Sequence, residues 1–257
     1  DPARLEVVIQ REAEGRGGSR HFGDHLRPGD ALQLSGPKNL FRLDESADRY
    51  VLIAGGIGIT PMLAMADRLK RLGKPYRLHY AGRSRGRMAL LGRLQRDHAE
   101  HLSLYLKDEG RRMALPALLA DVDDGTRVYA CGPTRLIAEL ETLAADWPEG
   151  RLRFEHFTSE VAALDPSREH GFEAELRDSS VSVHVAADQT LLQALQSAGY
   201  DVPSDCGEGL CGTCEVAVLD GQVDHRDKVL SKAERAAQNR MMACCSRAAG
   251  GKIVLGL

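Results

Sequence analysis

The segment 206–214 reads CGEGLCGTC and sets cysteines at 206, 211 and 214, with four and then two residues between them. Gly207 and Gly212 each stand beside a sulfur. A stretch that turns three of its own thiols toward one centre is neither a strand nor a helix, so it has to be a loop that other elements support. The chain has six cysteines (131, 206, 211, 214, 244 and 245), and five of them lie in its last fifth. Disulfide frameworks go with secreted chains and evenly spread cysteines. The opening DPARLEVVIQRE has no basic and then apolar leader pattern. Clustered cysteines in such a chain point to metal.

A plant-type [2Fe–2S] cluster takes three thiolates from C-x4-C-x2-C and a fourth from a distant cysteine. Cys206, Cys211 and Cys214 match the local part, and Cys244 or Cys245, about thirty residues on, supplies the fourth. Zinc is the alternative, but zinc sites usually pair two short units of C-x2–4-C or H-x3–5-H type. This chain has one triplet and one distant adjacent pair.

Upstream the pattern is different. From about 46 to 157 apolar strands alternate with helical spacing. RYVLIAGG runs into glycines, and TPMLAMADRLKRLG (60–73) carries Met62, Ala66 and Leu69 on one face and ends at a glycine. Strands follow at 76–82, 102–108, 127–133 and 151–157, with helices at 88–99, 115–121 and 134–147. This rhythm predicts a parallel sheet with helices on both faces. TSEVAALDPSREH (158–170) reads as a polar linker. Beyond it come a hairpin (172–186), a helix closed by Gly199, the cysteine loop, a strand at 215–221, a short helix opened by the capping box of Ser231 and Glu234, and a last strand, KIVLGL. The first 45 residues read as short β pieces, LEVVIQRE (5–12) and LRPGDALQLSGP (26–37), with a GRGGS turn (15–19). They are too few to close a barrel, so they are expected to be the tail of a larger β domain.

AGGIGITPM (54–62) leaves a strand and opens a helix. Gly55, Gly56 and Gly58 allow a tight turn and close approach of a pyrophosphate. Thr60 is expected as the helix N-cap and Pro61 at the first helical position, with free amides facing an anion. The HRD at 225–227 has no companion kinase motifs and reads as a polar loop.

CGEGLCGTCEVAVLDGQVDHRDKVLS…CCSRAAGGKIVLGL closely resembles the ferredoxin domain of the phthalate dioxygenase reductase and vanillate O-demethylase reductase family. The resemblance implies a β-grasp ferredoxin domain at 171–257 with Cys244 as the fourth iron ligand. YACGP (129–133), after such a glycine loop, resembles ferredoxin-reductase-like nucleotide domains. It implies NADH held by Gly55, Gly56, Gly58, Thr60, Pro61, Cys131, Gly132 and Pro133, with Cys131 and Thr60 at the reacting rings. Arg83, and with it Arg85, is expected near the adenosine ribose. Phe157, the last aromatic of RFEHF, inherits a place against the flavin.

A flavin is also required by electron count. NADH yields two electrons together and a [2Fe–2S] cluster takes one, so a group able to do both stands between them. In the family this is FMN on a preceding β-barrel, which makes Gly18 and Ser19 candidates for its phosphate. The family's R-x-[YF]-[ST] flavin motif does not occur here. The implied organisation is a partial flavin barrel (1–45), an NAD domain (46–157), a linker (158–170) and the ferredoxin domain. The implied function is the reductase component of a Rieske-type oxygenase or demethylase in the cytoplasm. The alternative is a ferredoxin-like carrier or redox sensor with a non-catalytic nucleotide fold.

The chain's formal charge of −3 makes no electrostatic case for nucleic acid or an anionic membrane, and it contains no run of eighteen apolar residues. From 171 to 257, 8 Lys and Arg stand against 12 Asp and Glu, a net of −4. An acidic ferredoxin module is therefore expected to dock the partner.

Overall fold

The structure is a computed structural model and describes residues 5–14, 17–34, 39–157 and 164–257. It divides into two compact units, Asp1–Glu155 and His156–Leu257.

The first unit is built on a five-stranded sheet. In chain order its elements are α1 (Gly18–His25), β1 (Arg49–Gly55), α2 (Ile59–Leu72), β2 (Tyr76–Gly82), α3 (Leu91–Asp97), β3 (Leu102–Leu106), α4 (Leu115–Ala120), β4 (Thr126–Cys131), α5 (Thr134–Leu143) and β5 (Leu152–Glu155). The strands run parallel in the order β3-β2-β1-β4-β5. The two faces of the central strands are both buried. Tyr50, Leu52, Ala54, Tyr129 and Cys131 pack with α2 residues Met62, Ala66 and Leu69, while Ile53, Val128 and Ala130 pack with Leu115, Ile137 and Leu140. Covered on both sides, these strands read as continuous apolar runs rather than alternating ones. Gly73 ends α2 with φ +66°, a left-handed turn that a residue without a Cβ takes freely.

The expected β pieces at the start are not formed. Among the described residues from 5 to 34 there is no strand; 5–12 has no regular secondary structure, and 18–25 is the helix α1. A strand needs a hydrogen-bonding neighbour, and this segment has none among the described residues. Leu5, Val7, Ile9, Leu32 and Leu34 are accordingly exposed. Turn chemistry at Pro28-Gly29 does appear, with Gly29 at φ +101°. The remainder of the second expected strand, 35–37, and Gly15 and Arg16 lie outside the described residues.

The second unit contains β6 (Phe172–Leu176), β7 (Val181–Val185), α6 (Leu191–Ser197), β8 (Glu215–Asp220), β9 (Val223–Asp224), α7 (Lys232–Ala237), β10 (Arg240–Met242), β11 (Arg247–Ala248) and β12 (Lys252–Leu255). The mixed sheet has the order β10-β8-β12-β6-β7, with β12 parallel to β6, and β9 and β11 form a separate pair. Helix α6 lays Leu191, Leu192 and Leu195 on this sheet, against Val185, Val216 and Ile253, as a β-grasp fold requires. Both short helices, α6 and α7, start with full capping boxes, Thr190/Gln193 and Ser231/Glu234.

Arg247 is fully buried in this unit. Its guanidinium donates to the carbonyls of Gln189 (2.7 Å), His170 (2.9 Å) and Ala186 (3.1 Å), lies 3.2 Å from the Glu169 carboxylate and sits over the Phe172 ring at 5.1 Å. Arg226 grips the same Glu169 with two bonds of 2.6 and 2.9 Å, and this holds the Glu169 carboxyl below its usual range. Glu169 and His170, expected as linker, are thus fastened to the second unit. Arg247→Ala strands three carbonyls and takes from Glu169 one of its two cationic partners, Arg226 being the other. It is expected to cost at least about 1–3 kcal/mol, read from urea unfolding of the full chain by circular dichroism.

Candidate functional site

Two sites come from the two units. In the first, the chain leaves β1 toward β2 on one side while β4 flanks β1 on the other. In open α/β sheets this reversal opens a crevice beyond the carboxyl ends of the strands. The register sets Ala54 opposite Cys131, so Gly55–Gly58 and Cys131–Pro133 meet at one level. They meet backbone to backbone. A Cβ on Gly58 would lie 2.2 Å from the Cys131 carbonyl oxygen and 2.8 Å from the Gly132 nitrogen. One on Gly55 would lie 2.6 Å from Pro133 Cδ, and one on Gly132 would lie 3.0 Å from the Gly55 nitrogen. Gly56, at φ +57°, has open space where its Cβ would be. The four glycines therefore do different things: three allow the two loops to touch, and Gly56 turns the chain and leaves room.

The helix start differs from the expectation. Gly56–Gly58 form a 3-10 turn that runs directly into α2, so Gly58 is the N-cap and Thr60 and Pro61 are the second and third helical residues. Thr60 donates its hydroxyl back to the Ile57 carbonyl at 3.1 Å rather than capping. Pro61 still falls in the first turn of α2, where its missing N–H forfeits no intrahelical bond.

Cys131 is fully buried, and burial followed by the Glu155 charge pushes its thiol far above the usual range. It is a neutral thiol, suited to shaping a surface rather than to nucleophilic attack. Glu155, level with Cys131 on β5, was not singled out from sequence. Its own carboxyl is raised by burial. No short motif marks it, because only the strand pairing brings it to Cys131. Arg83 is exposed just past β2, and Arg85 beside it pairs with Glu109 at 3.0 Å. Phe157 lies in the second unit and is 40 % exposed. Gly18 and Ser19 lie in the first turn of α1, where Ser19 Oγ accepts from the Glu12 amide at 3.0 Å. Gly15 and Arg16, which open the expected phosphate loop, lie outside the described residues.

In the second unit the cysteine loop joins α6 to β8. Gly207, Gly209 and Gly212 have φ of +70°, +67° and +69°. These left-handed turns aim amides inward at sulfur: Glu208 N and Leu210 N donate to Cys206 Sγ (3.2 and 3.4 Å), and Gly209 N donates to Cys244 Sγ (3.2 Å). Cys244 arrives through the β8–β10 pairing. Glu215 lies opposite Met242, and the Ala243 amide donates to the Cys214 carbonyl at 3.0 Å. The Cys214 and Cys244 thiols are close enough to perturb each other, as are those of Cys206 and Cys211.

Two thiol pairs with inward amides fit a group of two irons, each taking two sulfurs. Cys245 is buried beside Cys244, its Sγ near the Met242 carbonyl (3.9 Å) and pressed on Gly209.

Residues 174–249 match the family model for a 2Fe-2S iron-sulfur cluster binding domain, and residues 37–148 match that for the N-terminal domain of a dimethylamine monooxygenase subunit DmmA-like protein. The carnitine monooxygenase reductase subunit of Acinetobacter pittii (strain PHEA-2) is 40 % identical over 259 residues, covering 100 % of this chain and 84 % of its own. The solved structure of phthalate dioxygenase reductase, described as modular for electron transfer from pyridine nucleotides to [2Fe-2S], is 34 % identical with a TM-score of 0.65, over 97 % of this chain and 78 % of that one. The chain belongs to the phthalate dioxygenase reductase family. It has the family's fold, a parallel α/β sheet followed by a 2Fe-2S cluster binding domain, and it is an electron-transfer oxidoreductase. An intact type IV self-sufficient cytochrome P450 monooxygenase is 56 % identical with a TM-score of 0.90. It covers 98 % of this family member, which spans only 33 % of that chain.

The glycine contacts carry a test. Gly58→Ala drives a methyl group into the Cys131 carbonyl and is expected to destabilise by at least about 1–3 kcal/mol and to weaken NADH binding. Gly86→Ala, with nothing within 4 Å of the new Cβ, is expected to leave both unchanged. Thermal melts and NADH titration check this.

Proposed function

We propose that this chain takes electrons from NADH through FMN to a [2Fe–2S] cluster held by Cys206, Cys211, Cys214 and Cys244, and passes them to an oxygenase. The observation that carries this reading is the presence, in one chain, of a nucleotide crevice at the β1–β4 switch point and a loop of two thiol pairs. FMN, when bound, takes an electron pair and releases single electrons, and the cluster relays them.

The chain's residues have separate tasks. Gly55, Gly56, Gly58 and Gly132 keep side chains out of the crevice, so the dinucleotide approaches backbone. The amides at the start of α2, around Thr60 and Pro61, meet its pyrophosphate. Pro133 holds the turn after Cys131, whose neutral thiol orients the nicotinamide ring, and Arg83 takes the ribose end. The flavin contacts assigned by resemblance are Gly18, Ser19, Thr60 and Phe157. Cys206 and Cys211 are partly exposed while Cys214 and Cys244 are buried, so the Cys206–Cys211 edge is where electrons leave. The segments 1–45, 46–157 and 171–257, with 158–170 between the last two, are the corresponding flavin, nucleotide and ferredoxin parts. Among the described residues no helix is long and apolar enough to cross a membrane, in keeping with work in the cytoplasm, where NADH is supplied.

The family resemblance alone implies a Rieske-type acceptor docking on the acidic ferredoxin domain. The 56 % identity to the self-sufficient P450, against 34 % to phthalate dioxygenase reductase, favours a haem oxygenase instead. Both accept single electrons, so the reductase chemistry is common to them. With the intact flavin-loaded protein, NADH is expected to reduce a thiolate-ligated haem partner, read as its carbon monoxide difference spectrum. Reduction of a Rieske protein alone, read by electron paramagnetic resonance, returns the acceptor to the Rieske class, and reduction of neither rejects an oxygenase acceptor.

For the entry end, Cys131→Ala is expected to slow flavin reduction by NADH about tenfold to a hundredfold with iron and labile sulfide unchanged. A normal rate in stopped-flow removes the assigned role. For the exit end, Cys244→Ser is expected to lose the cluster while Cys245→Ser keeps it, measured by iron and sulfide content.

A further inference from the structure

The HRD stretch at 225–227, which reads from sequence as a polar loop, is built into the back of the thiol loop. Asp227 has no exposed side-chain surface. Its Oδ2 accepts from the amides of Val229 (3.0 Å) and Leu230 (2.8 Å), and its Oδ1 accepts from the Ser246 hydroxyl at 3.4 Å. Ser246 Oγ in turn accepts from the Arg226 amide at 3.2 Å. His225 Nδ1 lies 3.6 Å from Oδ1 and Arg235 Nη2 lies 3.8 Å from Oδ2. One carboxylate thus ties the 225–230 loop to the segment that carries Cys244.

The same loop presses on the cysteine loop. The Lys228 amide donates to the Gly209 carbonyl at 2.8 Å. A Cβ on Gly209 would lie 3.1 Å from Asp227 Cα and 2.6 Å from Cys245 Sγ. Gly209 is therefore held between Asp227 and Cys245, and its own amide points at Cys244 Sγ, 3.2 Å away. An amide that donates to a ligating sulfur stabilises the reduced, more negative state, and such bonds are among the levers that set an iron–sulfur potential.

We propose that Asp227 is a positioning residue for electron transfer: by clamping the 225–230 loop onto Gly209 and Ser246 it holds the Gly209 amide against Cys244 Sγ and so raises the potential of the cluster. The proposal rests on the four-cysteine assignment above. Iron and labile sulfide in Cys244→Ser and Cys245→Ser test that assignment separately.

The experiment is a potentiometric titration of the intact protein, monitored by electron paramagnetic resonance. Asp227→Ala releases the clamp and is expected to make the cluster tenfold harder to reduce at a fixed poise, a fall of about 59 mV for one electron. Asp227→Asn keeps an acceptor for the Val229 and Leu230 amides and is expected to restore most of that fall. Deuterium exchange with electron–nuclear double resonance on the reduced cluster is expected to show one strongly coupled exchangeable proton lost in Asp227→Ala and kept in Asp227→Asn. An unchanged potential overturns the proposal. So does a rise in both variants, which would mean that the carboxylate acts by its charge. If Asp227→Ala holds no cluster, Ser246→Ala, which breaks one arm of the clamp, is expected to shift the potential the same way by a smaller factor, and no shift there overturns the proposal.

Discussion

Met242 lies opposite Glu215 on the β8–β10 ladder, and from that register follow the positions of two of the four thiols. Cys214 ends the loop one residue before β8, and Cys244 follows β10 by two, so the pairing lays them side by side although thirty residues separate them. A slip of one residue would turn every side chain of β10 to the opposite face. Met241 and Met242 are both fully buried, so both faces of β10 are covered. The inward amides of the cysteine loop depend on the register as well, since Gly209 can donate to Cys244 only when Cys244 is already there.

The first unit solves the same problem with parallel strands. Gly55–Gly58 and Cys131–Pro133 are more than seventy residues apart, and the β1–β4 register brings them level. The contact is so close that side chains are excluded from three positions. A crevice lined by backbone offers amides and no competing side-chain chemistry, which is what a pyrophosphate needs. Cys131 then sets a neutral, buried thiol beside Glu155. Each unit thus places its chemistry at the end of a long-range strand pair, with glycines where the chains touch.

The buried ions of the second unit have a similar logic. Removing charges from water is costly, and close partners offset part of that cost. Arg247 meets three carbonyls, a carboxylate and an aromatic face, and Asp227 meets two amides and a hydroxyl. Both flank the Cys244 segment. Their partners come from residues 169–189 and 225–246, so the polar network joins parts of the chain that the apolar core does not order by itself.

Much of this was legible in the residues. Cysteine spacing pointed to the cluster, βα rhythm to the parallel sheet, and the Ser231–Glu234 capping box to α7, because each depends on neighbours within a few positions. The reading went astray where a strand's partner had to be assumed. Residues 5–12 and 26–34 have strand-like side chains yet form no ladder, and Thr60 lost the cap to a 3-10 turn that the glycines themselves make. Glu155 and Asp227 were missed for the complementary reason: nothing in their local sequence marks them, and only strand register and burial bring them to the sites. By itself the sequence determined the chemistry each loop is able to hold, since ligand type, glycine freedom and short-range capping are local properties. The tertiary structure alone decided which side chains meet there, because backbone pairing across tens of residues, and the exclusion of water that follows, are properties of no single segment.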